Sequence, residues 1–166
     1  MVLVGLMGSG KSILGKQLAS RLSLELVDLD DLIVSQAGKT IPEIFKDEGE
    51  EAFRALESKL LAEVLAQDDE KIIATGGGAI LSAENRAMMK QSGRVIWLDA
   101  SPTVLAERIA GDANRPLLDG VDPLFKMISL ATQRNPLYAE VADLRVDTEN
   151  LSDEEAVAKI INFLSD

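Results

Sequence analysis

Val4-Gly5-Leu6-Met7-Gly8-Ser9-Gly10-Lys11-Ser12 decides the fold of this chain. The stretch reads G-x-x-x-x-G-K-S, is entered from the apolar run Met1-Val2-Leu3-Val4 and is followed at once by a helical pattern. That strand-to-helix setting is what a phosphate-binding P-loop needs. Gly5, Gly8 and Gly10 let successive backbone N–H groups turn inward on phosphate oxygens. Lys11 supplies a point charge for the β- and γ-phosphates, Ser12 a hydroxyl for Mg²⁺, and the helix beginning near Lys11 its positive end. A glycine-rich turn with a chance Lys-Ser is the competing reading, and the flanking strand and helix patterns weigh against it. The expectation is a chain that binds ATP or GTP.

Composition narrows the class. A length of 166 residues suits one domain, and 46% hydrophobic content is that of an ordinary globular protein. No run of about eighteen apolar residues occurs, and no export signal precedes the first strand, so a soluble, cytoplasmic protein without a membrane partner is expected. The absence of Cys removes disulfides, thiolate metal sites and a cysteine nucleophile. The absence of His leaves proton transfer to Asp, Glu or Lys. A net charge of -11 argues against a nucleic-acid partner, whose phosphates call for clustered Lys and Arg. A small anionic substrate is compatible with it if a few arginines converge.

Beyond the loop, Leu14, Leu18 and Leu22 mark an amphipathic helix from about Lys11 to Leu22. Leu24 to Val27 reads as a strand, and alternation places Asp28 and Asp30 on one side at its carboxyl end, where open α/β sheets hold ligands. Two readings stand for this acidic cluster: a ligand site for Asp28 and Asp30, or a solvated turn capping the next helix, which suits Asp31. Gly38 to Pro42 ends one helix and opens another. From Gly49 to Gln67 the apolar residues again keep helical spacing, with Arg54 and Glu57 close enough to pair. By pattern alone a surface ion pair is favoured over a functional reading of Arg54.

Lys71 to Thr75 reads as a buried strand that runs into Gly76-Gly77-Gly78. Three glycines in succession cost chain entropy unless the backbone must approach something closely, either a ligand or the next helix in a tight turn. Ser82 to Gln91 is helical, Arg94 to Asp99 a strand, and Ser101-Pro102 opens a helix to about Ala110. Gly111 to Asp122 breaks all periodicity around Arg115, as a mobile lid would and as a plain surface loop would. Pro123 to Arg134 is helical, and Asn135-Pro136 is expected to break that helix. Leu144 to Thr148 forms the last strand, and Ser152 to Glu155 a capping box for a closing helix. The pattern predicts an α/β fold, a five-stranded parallel sheet with helices on both faces.

The ordered set Asp28-Leu29-Asp30, Gly49-Glu50-Glu51-Ala52-Phe53-Arg54, Thr75-Gly76-Gly77-Gly78-Ala79, Asn114-Arg115-Pro116-Leu117-Leu118, Arg134-Asn135-Pro136-Leu137-Tyr138 and Val146-Asp147-Thr148 resembles the shikimate kinase family over the whole chain. The resemblance implies a three-layer α/β/α P-loop kinase domain over residues 1–166. It also implies the strand order 2-3-1-4-5, a shikimate-binding region at 29–60 and a lid at 111–122. It implies ATP as co-substrate, Mg²⁺ as cofactor, shikimate as acceptor, and a monomer. Nucleotide contacts would come from Gly8, Ser9, Gly10, Lys11, Ser12, Ile13, Arg108 and Arg115. Shikimate would lie among Asp30, Arg54, Gly76, Gly77, Gly78 and Arg134, and Mg²⁺ on Ser12 directly and on Asp28 through water. Lys11, Asp30 and Arg115 would be catalytic. The residue types suit the task, since two arginines match a carboxylate and one aspartate the ring hydroxyls. The stretch Glu149 to Asp153 departs from the family pattern in lacking the proline that usually closes the adenine pocket. A gluconate-kinase-like enzyme and a non-catalytic nucleotide-binding relative share the P-loop. The joint presence of Lys11, Ser12, Asp30 and Arg115 favours a catalyst.

Overall fold

In Val2-Leu3-Val4 successive side chains point to opposite faces, so Val2 and Val4 enter one hydrophobic cluster and Leu3 another. These three residues form β1 (Val2–Val4), the central strand of a sheet whose other members are β2 (Glu25–Asp28), β3 (Lys71–Ala74), β4 (Val95–Asp99) and β5 (Leu144–Asp147). The spatial order is β2-β3-β1-β4-β5, as the resemblance implied, and every pairing is parallel. The structure, a computed structural model, describes residues 1–110 and 120–166. Most of the expected lid, including Arg115, lies outside the described residues.

Two helices cover the face that Leu3 enters. They are α1 (Lys11–Leu22), through Leu14 and Leu18, and α7 (Asp153–Ser165), through Ala156, Val157 and Ile160. The opposite face carries α2 (Leu29–Ala37), α3 (Ile41–Leu65), α4 (Ala83–Gln91), α5 (Pro102–Ile109) and α6 (Pro123–Val141). In α1, α3 and α7 the buried Leu14 and Leu18, Phe53, Leu60 and Val64, and Ala156 and Ile160 are residues the helical spacing picks out. Local signals fix several starts. Thr40 and Ser152 form capping boxes with Glu43 and Glu155, and Ser82 and Ser101 each accept a backbone N–H at a helix start.

Two expectations need correction. Asn135-Pro136 does not end its helix: α6 runs on to Val141 with Pro136 inside it. A proline there costs a backbone hydrogen bond, about 3 kcal/mol. The face carrying Met127, Leu130, Ala131, Arg134, Tyr138 and Val141 is buried on both sides of it, and that burial outweighs the local penalty. The helix start read at Gly49 holds: its φ of 88° and ψ of 170° leave the helical region, so α3 is two helical segments meeting at that kink. Finally, β2 stops at Asp28, so Asp30 reaches the carboxyl end of the sheet from the first turn of α2 and not by strand alternation.

Candidate active site

The loop between β1 and α1 turns through Gly8 and Gly10, whose φ values of 80° and 100° lie in the left-handed region closed to most side chains. Gly10 caps α1 without any side-chain hydrogen bond, and no acidic residue occupies the first turn. The first N–H groups and the positive end of a 12-residue helix therefore face the cavity with no protein carboxylate of that turn beside them. Lys11 Nζ folds over the loop, donating to Gly5 O at 2.7 Å and to Leu6 O at 2.9 Å. A cavity of about 480 Å³ opens here, bounded by the loop, Asp28, Asp30, Gly76 and Gly77 on one side and Arg108 and Thr148 on the other.

The capping reading of the acidic cluster holds, with Asp28 and not Asp31 as the cap. Asp28 Oδ1 accepts the N–H of Asp30 at 3.0 Å and so caps α2, while its Oδ2 accepts the Ser12 hydroxyl at 2.6 Å. Asp28 and Asp30 line the cavity, and Asp31 is exposed. Ser12 and Asp28 thus present adjacent oxygen donors beside the loop, the donor type that Mg²⁺ prefers.

Each glycine of the triplet after β3 stands against a charged side chain. A Cβ on Gly76 would lie 2.8 Å from Glu57 Oε2 and 3.0 Å from Asp30 Oδ1. One on Gly77 would lie 3.4 Å from Arg134 Nη1 and 3.5 Å from the backbone N of Met7 in the loop. One on Gly78 would overlap the Arg54 guanidinium. The triplet is therefore a hub: side chains from α2, α3 and α6 close on it, and the phosphate loop passes beside it.

Charge around the triplet is unevenly matched. Glu57 is 1% exposed and pairs with Arg54 Nη1 at 2.9 Å through Oε1, while its Oε2 has no partner. Burial pushes the Glu57 carboxyl above its usual range, against the pull of Arg54. Arg134 is 3% exposed, its Nε finds no acceptor, and among the described residues no carboxylate stands within ion-pair distance of it. Burial pulls its guanidinium below the usual arginine range. A buried cation without an ion-pair partner is costly, and an anionic ligand would relieve it.

On the other side Arg108 donates from Nη1 to Gly8 O at 3.1 Å and from Nη2 to Thr148 O at 2.7 Å, tying α5 to the loop and to the end of β5. Where the family proline is missing, Asp147 Oδ1 accepts the N–H groups of Glu149 and Asn150 at 2.9 and 3.1 Å, so side-chain hydrogen bonds shape that turn. Ile13 is 59% exposed at the cavity rim.

Of the sequence-predicted residues, Gly8 to Ile13, Asp28, Asp30, Gly76, Gly77 and Arg108 line the cavity; Arg54, Gly78 and Arg134 do not line it and connect to it through the glycine triplet, and Arg115 lies outside the described residues. Three residues named in the sequence were given no part in the site: Thr148, which anchors Arg108, Glu57, a buried carboxylate, and Tyr138, whose hydroxyl donates to Gly77 O at 2.5 Å. Helical spacing held the signal for two of them, since Glu57 is three residues beyond Arg54 and Tyr138 four beyond Arg134.

Comparison with known proteins agrees with this geometry. The family model described as shikimate kinase matches residues 7–165. A shikimate kinase of Symbiobacterium thermophilum is 46% identical over 168 residues, covering 100% of this chain and 96% of that protein. One from Xanthomonas euvesicatoria pv. vesicatoria is 45% identical over 161 residues, covering 97% and 89%. Among solved structures, the shikimate kinase of Acinetobacter baumannii in complex with shikimate superposes with a TM-score of 0.95 at 39% identity, covering 99% of this chain and 91% of that one. That of Aquifex aeolicus gives 0.85 at 33% identity, covering 99% and 95%. The chain belongs to the shikimate kinase family.

Proposed function

We propose that residues 1–166 act as one ATP-dependent kinase domain that passes the γ-phosphoryl group of ATP to the 3-hydroxyl of shikimate, giving 3-phosphoshikimate and ADP within the shikimate pathway. The observation that carries this reading is the buried Arg134 beside Gly77, with Arg54 and Asp30 on the same glycine triplet and the phosphate loop alongside. A ring with one carboxylate and several hydroxyls suits that set: guanidinium groups for the carboxylate, a carboxylate for the hydroxyls.

In this reading the acceptor lies among Asp30, Arg54, Gly76, Gly77, Gly78 and Arg134, within a region from 29 to 60 completed by the triplet and α6. The triphosphate lies on Gly8, Ser9, Gly10, Lys11, Ser12 and Ile13, with Arg108 against the adenine. Phosphoryl transfer of this kind is catalysed mainly by placement and charge neutralisation. Lys11 and Arg115, the latter in the proposed lid at 111–122, stabilise charge on the transferring group, and Asp30 orients the hydroxyl and takes its proton. Ser12 and Asp28 would hold Mg²⁺, which neutralises phosphate charge when bound, Ser12 directly and Asp28 through water. All these groups come from one chain, so a monomer suffices, and a cytoplasmic location belongs to the same proposal.

Measuring ADP release with shikimate, with gluconate and with no acceptor tests the reading. Shikimate-dependent ADP with a new phosphate ester is expected. A gluconate-dependent signal alone would point to the gluconate-kinase-like alternative. Tight nucleotide binding with no acceptor-dependent turnover would point to a non-catalytic relative.

A further inference from the structure

Arg134 and Tyr138 are four residues apart on α6 and so share its buried face. Tyr138 is 1% exposed and is the chain's sole tyrosine. Its hydroxyl donates to Gly77 O at 2.5 Å, and Arg134 Nη1 stands beside the same glycine, 3.4 Å from where a Cβ on Gly77 would lie. We propose that the Tyr138 hydroxyl is a positioning residue for acceptor binding: it locks the Gly77–Gly78 peptide and Arg134 into one fixed arrangement. The role rests on the acceptor reading given above.

The physical need comes from the glycines. Gly77 has no side chain to restrain its peptide plane, so an unsupported Gly-Gly-Gly turn samples many orientations. In a planar trans peptide the carbonyl of Gly77 and the N–H of Gly78 point in opposite directions, so holding the first toward α6 turns the second away from it. Among the described residues the N–H groups of Gly77 and Gly78 donate to no backbone acceptor, which leaves them for a bound oxygen. Burial pushes the phenol above its ordinary range, keeping it a donor at any pH the protein meets. The bland alternative is a core tyrosine whose hydroxyl has merely found a carbonyl.

Tyr138→Phe removes the hydroxyl and keeps the ring, which packs 5.9 Å from Trp97. The expected result is a shikimate KM raised about tenfold, the size of one lost hydrogen bond, with kcat at saturating shikimate and the KM for ATP within about twofold. A lower melting temperature with an unchanged shikimate KM would overturn the inference. Arg134→Ala, assayed alongside, separates the two levels. If it raises the shikimate KM and Tyr138→Phe does not, the Tyr138 role alone fails; if neither does, the acceptor site itself is elsewhere. Should Tyr138→Phe give no soluble protein, 3-fluorotyrosine incorporation places a single ¹⁹F probe at this position. Shikimate should then shift that resonance and ATP alone should not, and a signal indifferent to shikimate overturns the proposal.

Discussion

Arg54 occupies the space that a side chain on Gly78 would fill. A Cβ there would overlap the guanidinium, so the glycine and the arginine exclude one another's alternatives. Gly78 itself has φ -92° and ψ -4°, ordinary backbone for alanine. Gly78→Ala should therefore leave the backbone unstrained but push Arg54 off Glu57. The expected outcome is a shikimate KM raised about tenfold or more with the KM for ATP unchanged. Steady-state kinetics with each substrate varied in turn checks it, and equal losses for both substrates would show that the glycine serves the phosphate loop instead.

Lys11 bends back over its own loop, with Nζ donating to Gly5 O and Leu6 O. In the proposed reading that charge acts on the phosphates and not on the acceptor. Lys11→Ala is expected to lower kcat by several orders of magnitude, about 3–5 kcal/mol in the barrier. Arg115→Ala should act in the same direction if the lid delivers that charge. Rapid-quench measurement of a single turnover reads the chemical step, and a normal rate in either variant removes that residue from it.

Glu57 makes a prediction about pH. Its folded-state value lies above the ordinary 4.5, with burial as the main cause, so the native state binds the proton more tightly than the unfolded chain does. Stability from this group is then fullest below the unfolded value and declines as pH rises through the folded one. Glu57→Gln should flatten that decline. Urea unfolding from pH 4 to pH 7 tests it: the wild-type stability should fall faster with pH than that of the variant. Parallel profiles would mean that the Arg54 pair fully compensates the buried charge.

Much of this site was legible in the sequence because its parts carry local signals. The loop follows an apolar run and opens a helix, and Ser12 and Asp28 come from neighbouring elements whose ends are fixed by glycine and by capping. The helix through Pro136 was not legible, because the residues that outweigh the proline are buried by partners distant in sequence. Glu57 was open to reading as one half of a surface pair, since spacing reveals the pair and only packing reveals its 1% exposure. The turn at Asp147 shows the same limit, with side-chain hydrogen bonds standing where the family pattern places a proline.

The central claim is that one hollow holds the acceptor's carboxylate between Arg54 and Arg134 while the nucleotide is held elsewhere. Calorimetric titration of Arg54→Ala and Arg134→Ala with shikimate and, separately, with ATP tests it most directly. The account predicts that each variant loses most of its shikimate affinity and retains its affinity for ATP within about twofold. Shikimate binding that survives both changes, or ATP binding that falls with it, would contradict the account.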